Sequence, residues 1–233
     1  MKYFLLTTLL FALVVKVSCQ QIHKDTSAHS HLANPDSVLS WLKRGNAEFI
    51  SGNYDTHGID SSLRIAISAE QHPKAIILTC SDSRLPPELI FNKGLGDLFV
   101  IRVAGNISDD AVIGTIEYAV GHLHTQLVVV MGHTNCGAIA AAVADLQNPV
   151  NEIDNHIRSL TDKIEQAITT VNLDEKDLVK KALLSNIMFT VSSLNDSRPV
   201  LYEAVKKGDV KVVGALYDLT TGKVDWLENK SGK

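Results

Sequence analysis

The sequence predicts an α/β protein: an open, mainly parallel sheet flanked by helices, with an N-terminal helical arm and a C-terminal edge hairpin. Three observations carry this. Residues 75–79 and 127–131 are short apolar runs rich in β-branched side chains, the pattern of strands buried on both faces. Between and after them come segments with apolar residues at three- and four-residue steps, so strand and helix signals alternate. Each apolar run also stops at a polar motif, Cys80-Ser81-Asp82-Ser83-Arg84 after the first and Gly132-His133-Thr134-Asn135-Cys136-Gly137 after the second. Sites in open α/β sheets form beyond the carboxyl ends of the strands.

The elements follow in order. Asn34-Pro35-Asp36 opens a helix with proline near its first turn. Val38, Leu39, Trp41, Leu42, Phe49 and Ile50 give it an apolar face, and Gly52-Asn53 ends it. Residues 54–59 read as a loop and 61–70 as a second short helix. Both helices precede the first strand, so they are not crossovers; they either pack on the sheet or are lent to a neighbouring subunit as an arm. The first strand is 74–79, and Pro86-Pro87 then starts a short helix through Phe91. The second strand is 97–103, followed by a turn at Ala104-Gly105-Asn106 in which glycine takes positive φ. Ser108-Asp109-Asp110 caps a helix with Val112, Ile113, Ile116, Ala119 and Val120 on one face. The third strand is 126–131, and Cys136-Gly137-Ala138 opens an alanine-rich helix through Leu146. Asn148-Pro149 breaks the chain, and 151–207 reads as helix with little interruption, on the steps of Ile153, Ile157, Leu160 and Ile164 and of Leu178, Ala182 and Leu183. A strand at 209–219, a turn at Thr221-Gly222 and a short strand at 224–227 close the domain as an edge hairpin.

The chain has 233 residues, 45% of them apolar, enough for one domain with its own core, expected over 35–233. Residues 1–19 read as a secretory signal peptide: a basic Lys2, an apolar core over 4–15, and Val17-Ser18-Cys19 before Gln20. The apolar core is too short to span a membrane, so no stable membrane insertion is expected after cleavage. A retained anchor and lipidation at Cys19 are the rival readings. Residues 20–34, with His23, His29 and His31, read as a polar linker. Export to the periplasm, or secretion, is the expected localisation. Removing residues 1–19 takes away Lys2 and Lys16 and no acid, so the formal net charge moves from −4 to −6. That charge argues against non-specific binding to nucleic acid or anionic membranes.

Two cysteines remain after cleavage, Cys80 and Cys136. In an exported protein they can form a structural disulfide. They also lie at strand ends, with His133 three residues before the second. Two thiolates and an imidazole make a soft, three-ligand zinc set, and a thiolate set bound to metal is kept out of disulfide chemistry. Cys136 sits at a helix N-terminus, which favours its thiolate. Gly132 and Gly137 let the backbone bend there. If the chain stays extended past the first strand, Cys80, Asp82 and Arg84 project to one side, and Asp82 and Arg84 suit a bidentate charge-assisted pair that keeps the carboxylate ionised and aimed. Three protein ligands leave a fourth zinc position open, the mark of a catalytic site.

Cys-Ser-Asp-Ser-Arg followed by His-x-x-Cys-Gly resembles the β-class carbonic anhydrases. The likeness extends to residues 97–106, 114–120, 212–218 and 221–224, and spans roughly 35–228. It implies zinc-dependent, reversible hydration of carbon dioxide to bicarbonate and a proton through a zinc-bound hydroxide, with one Zn2+ per chain. It implies Cys80, His133 and Cys136 as ligands and Asp82 with Arg84 as an orienting dyad. Gln71, Phe99, Ala104, Tyr118 and Gly137 fall at substrate-pocket positions, although Val103-Ala104 departs from the Asn-Ala or Asn-Val common there. Ile77 stands where an allosteric subgroup has tryptophan, which implies a site that stays open, with Asp82 paired to Arg84. The resemblance also implies a homodimer, often paired into a homotetramer, in which residues 36–70 wrap the partner and Gln71, Phe99 and Tyr118 serve the neighbour's zinc. The alternatives are another small-molecule zinc hydrolase on the same fold, such as a carbon disulfide hydrolase, and a non-enzymatic exported protein with a Cys80–Cys136 disulfide.

Overall fold

The structure is a computed structural model that describes residues 34–54, 58–148, 156–172 and 176–227. Residues 1–19, read from sequence as a signal peptide, and almost all of 20–34, read as a linker, lie outside the described residues, as do Pro149 and Ile153.

Helix α1 (Pro35–Ser51) has the ends its sequence calls for. The Asn34 side chain accepts the Ser37 N–H, Pro35 takes the first turn, and Gly52 closes the helix at φ 74°. Val38 and Leu42 are buried. Asn46, also buried, donates to the carbonyls of Ile90 and Gly222 and accepts the Val224 N–H at 2.9 Å. Those bonds stitch α1 to the C-terminal hairpin of its own chain, so α1 packs on its own sheet. Helix α2 (Ser61–Ala66) is shorter than the expected 61–70 and buries no residue. With no apolar face against the core, packing does not extend it beyond its Asp60 cap.

The sheet has five strands in the order β2-β1-β3-β4-β5: β1 (Ala75–Thr79), β2 (Leu98–Arg102), β3 (Leu127–His133), β4 (Lys211–Tyr217) and β5 (Val224–Leu227). The first four are parallel and β5 is antiparallel at the edge, as the sequence predicts. Every residue of β1 and β3 is buried, which is why both read as continuous apolar runs. Short helix α3 (Pro87–Ile90), α4 (Asp110–Leu123) with its Asp109 cap, and α5 (Gly137–Gln147) complete the first half.

The segment 151–207 departs from its reading. Its described residues form three helices, α6 (Arg158–Ile168), α7 (Leu178–Asn195) and α8 (Val200–Lys207). Ile157, counted in the apolar stripe, is the exposed residue before α6, and Pro199, which lacks an N–H, stands at the start of α8. Helix α7 buries eight residues and packs so closely on the sheet that a Cβ on Gly132 would lie 2.7 Å from Ile187 Cδ1, and one on Gly214 3.1 Å from Ile187 Cγ2.

Candidate metal centre

Parallel register brings the two motifs together. Thr79 and Met131 are direct partners on β1 and β3, and the Thr79 hydroxyl donates to the Met131 carbonyl at 2.8 Å. The residues that follow, Cys80 on one strand and Gly132-His133 on the other, therefore leave the sheet side by side. Strand β3 runs two residues further than predicted and ends at His133, because β4 continues alongside it and pairs Tyr217 with His133. Cys136 is the N-cap of α5, so its sulfur sits beside the helix's first amides, those of Ala138 and Ile139, which favour its thiolate.

The ligand atoms of Cys80, His133 and Cys136 all lie within 4.8 Å of one another, and all three residues are buried. The two sulfurs are 4.0 Å apart and both cysteines are free. A disulfide needs about 2.05 Å, so the disulfide reading fails on distance. Two sulfurs on a tetrahedral zinc stand roughly 3.8 Å apart, given bonds of about 2.3 Å. His133 Nδ1 lies 3.0 Å from the Thr134 carbonyl; with the proton on Nδ1, the Nε2 lone pair is left for a metal. Nε2 is buried and has no hydrogen-bond partner, which is costly in a site that lacks a ligand for it. The thiols tell the same story. The Cys80 thiol is pushed down chiefly by the hydrogen bond from Cys136, with the Gly105 N–H adding to it. Cys136 is pushed up by that shared bond and by burial. One proton leaves this pair readily and the second resists, a resistance that a bound cation removes. The residues fit zinc.

Asp82 and Arg84 also meet, by a different route from the predicted one. The chain does not stay extended: the Leu85 N–H closes a turn on the Asp82 carbonyl at 3.1 Å. Inside that turn the Arg84 N–H and Nε donate to Asp82 Oδ1 at 3.0 and 2.9 Å, and Nη2 donates to Oδ2 at 2.7 Å. The Arg84 bonds hold the carboxyl well below the usual carboxylate range. Asp82 Oδ2 is 3.9 Å from His133 Nε2, so the carboxylate borders the ligand cluster while facing Arg84.

The other predicted residues divide into two groups. Ala104, in a 3-10 turn (Ala104–Asn106), and Gly137, the first residue of α5, flank the cluster through Gly105 and Cys136. Gln71, Phe99 and Tyr118 are not brought to their own chain's ligands. Phe99 pairs with Ile76, four residues up β1 from Cys80, or roughly 13 Å. Gln71 is exposed beyond the far end of β1. Tyr118 is 48% exposed, with its ring 6.4 Å from Phe99 and 5.2 Å from His122, whereas Phe99 is half-buried against the core. Sequence reasoning missed Arg102. Its guanidinium donates from Nε to the Cys80 carbonyl at 3.2 Å and from Nη2 to the Asp82 carbonyl. The available signal was a lone cation in the apolar strand Leu98–Arg102.

Comparisons with known proteins bear directly on this cluster. The family model described as carbonic anhydrase matches residues 75–224, which include all three candidate ligands and the Asp82–Arg84 pair. The chain belongs to the β-class carbonic anhydrases. Carbonic anhydrase 2 of Mycobacterium tuberculosis is 34% identical over 194 residues, covering 82% of this chain and 93% of that protein. The carbonic anhydrase of Mycolicibacterium smegmatis is 33% identical, covering 83% and 95%. Among solved structures, the β-carbonic anhydrase CcaA matches with a TM-score of 0.63 at 28% identity, covering 82% of this chain and 95% of that one. A tetrameric β-carbonic anhydrase of Sordaria macrospora shares the fold with a TM-score of 0.61. This carbonic anhydrase is thus a zinc-dependent enzyme of carbon dioxide hydration, with Cys80, His133 and Cys136 grouped as its possible metal site. Among the described residues no helix is long and apolar enough to cross a membrane.

Proposed function

We propose that Cys80, His133 and Cys136 hold the catalytic zinc and that Asp82, clamped by Arg84, orients the oxygen nucleophile toward carbon dioxide. When bound, zinc supplies a Lewis acid that brings the proton loss of water to about pH 7, a value that comes from the three-histidine carbonic anhydrase. Asp82 does the rest by position. Its three bonds from Arg84 keep it ionised and fixed, so it accepts a hydrogen bond from the nucleophile and leaves a lone pair free to meet the substrate carbon. Its depressed pKa makes it an acceptor of hydrogen bonds and a poor store for the released proton. Ala104 and Gly137 present little side chain at the rim, which suits a substrate of three atoms. The bidentate Asp82–Arg84 pair beside the ligand cluster is the observation that supports this reading. The test is stopped-flow carbon dioxide hydration with zinc quantified on the same sample. The native chain is expected to turn over fast with about one zinc per chain, and Asp82→Ala to keep its zinc while losing at least 100-fold in turnover, on the scale of other positioned polar groups. Unchanged turnover in Asp82→Ala removes the residue from the mechanism.

We further propose a homodimer, open to pairing into a tetramer, with Gln71, Phe99 and Tyr118 of one subunit walling the pocket of the next. The apolar edge strand β2 supports this: Leu98, Phe99, Val100 and Ile101 are only half-buried. Tyr118, Ile59, Ile65 and Leu95 add exposed apolar surface. Sedimentation equilibrium is expected to give two or four chains, and a monomer would end the shared-pocket reading. Export, to the periplasm or beyond, rests on the apolar run over 4–15 and the small-residue site at Val17-Ser18-Cys19. N-terminal sequencing of the mature protein, expected to start at Gln20, checks it.

A further inference from the structure

The buried face of α7 is apolar through Ala182, Leu183, Ile187, Val191 and Leu194, with two exceptions. Asn186 is 1% exposed and Thr190 2%. A buried amide is retained against a desolvation cost only where it is well bonded. The Asn186 Nδ2 donates to the Gly105 carbonyl at 2.8 Å, across 81 residues of sequence. The Thr190 hydroxyl donates to the next carbonyl, that of Asn106, at 3.4 Å. On its other side the same Gly105 offers its N–H to the Cys80 sulfur at 3.4 Å. Gly105 itself has φ +71°, and a Cβ there would lie 2.7 Å from Ile164 Cδ1 and 3.5 Å from the Ala138 Cβ. The turn is thus packed by α6 and α5 but bonded from α7, and its Gly105 N–H is spent on the Cys80 sulfur.

We propose that Asn186 is a positioning residue for the metal centre: by holding the Gly105 carbonyl, its side-chain amide aims the Gly105 N–H at the Cys80 sulfur and sets how much charge that thiolate gives to the metal. An N–H donated to a thiolate withdraws electron density from sulfur, so the ligand donates less and the metal stays a stronger Lewis acid. Outer-shell partners of this kind act through ligand orientation and basicity, and their loss typically costs 10–100-fold in metal affinity or activity. The proposal rests on the zinc reading of Cys80, His133 and Cys136.

The test uses the full mature chain with zinc exchanged for cobalt or cadmium. Asn186→Asp keeps the size of the side chain but replaces the donor with an acceptor that the Gly105 carbonyl repels. It is expected to weaken zinc binding about 10-fold through lost orientation of the Cys80 ligand, read by chelator competition, and, because the sulfur then donates more charge, to move the thiolate-to-cobalt charge-transfer band to longer wavelength. Ser185→Ala is the control: it removes a bond from the same helix to the Ala167 carbonyl without touching the turn, and the band should stay in place. A folded Asn186→Asp protein with unchanged band and affinity overturns the proposal. If Asn186→Asp does not fold, the native protein decides. With cadmium-113 and nitrogen-15 labels, the Gly105 amide should show coupling to the metal, and the Asn186 side-chain amide signals should shift on loading. No coupling, or unmoved Asn186 signals, overturns it. A native chain that takes up no cobalt or cadmium sinks the zinc reading itself, an outcome distinct from a loaded site indifferent to Asn186.

Discussion

At the end of β1, residues 80–84 are held by charge. Arg84 grips the Asp82 carboxylate, and Arg102 reaches from β2 to the carbonyls of Cys80 and Asp82. Arg84 is largely exposed. At the end of β3, residues 132–136 are held by packing and backbone. His133 pairs with Tyr217, the Thr134 N–H donates to the Tyr217 carbonyl at 3.0 Å, the Thr134 hydroxyl accepts the Leu219 N–H, and Gly132 lies under Ile187 and Leu183. The difference matches the work of each end. On the proposed assignment, the β3 end supplies two of the three zinc ligands, which must not move. On the same assignment, the β1 end supplies one ligand and the carboxylate proposed to meet the nucleophile.

The largest effect should come from breaking both ends at once. Cys136→Ser removes a thiolate at the point where the two ends meet and is expected to weaken zinc binding by more than about 100-fold, beyond the range for outer-shell partners, as read by metal analysis after dialysis against a chelator. Retained stoichiometric zinc would show that the ligand set is wrong. A pair of variants then separates packing from charge. Gly132→Ala puts a Cβ 2.7 Å from Ile187 Cδ1 and 3.0 Å from Leu183 Cδ1, an overpacking cost of about 1–3 kcal/mol that salt should not alter. Arg102→Met loses bonds from an exposed guanidinium, at less than about 1 kcal/mol, and the gap from the native protein should narrow in 1 M salt. Thermal melts at low and high salt measure both, and equal salt dependence would erase the distinction between the two ends.

The smallest effect concerns pH. Because Arg84 depresses the folded-state pKa of Asp82, its contribution to stability is fully present above the unfolded carboxyl value of about 3.9 and is lost as pH falls through the folded value. The melting difference between the native protein and Asp82→Asn should therefore be flat from about pH 8 to 5 and shrink below about pH 4. A difference that changes around neutrality would mean that Arg84 does not hold the carboxylate.

The sequence by itself determined the parallel sheet, the edge hairpin, the caps at Asn34 and Asp109, and the candidate ligands Cys80, His133 and Cys136 that the fold groups together. These rest on local rules: burial of a strand on both faces, capping chemistry, and ligand types at strand ends. The Asp82–Arg84 pair was legible too, though for the wrong local reason, since a turn rather than an extended chain brings the two together. Only the tertiary structure decided the 4.0 Å between the sulfurs, the breaks at the start of α6 and α8, and the absence of Gln71, Phe99 and Tyr118 from their own chain's ligands. It alone revealed Arg102 and Asn186. An arginine within an apolar strand and an asparagine within an apolar helix look like imperfections in a one-dimensional pattern. Their partners lie 20 to 22 residues away in one case and 81 in the other, and hydrogen bonds across such separations leave no periodicity for a sequence to display.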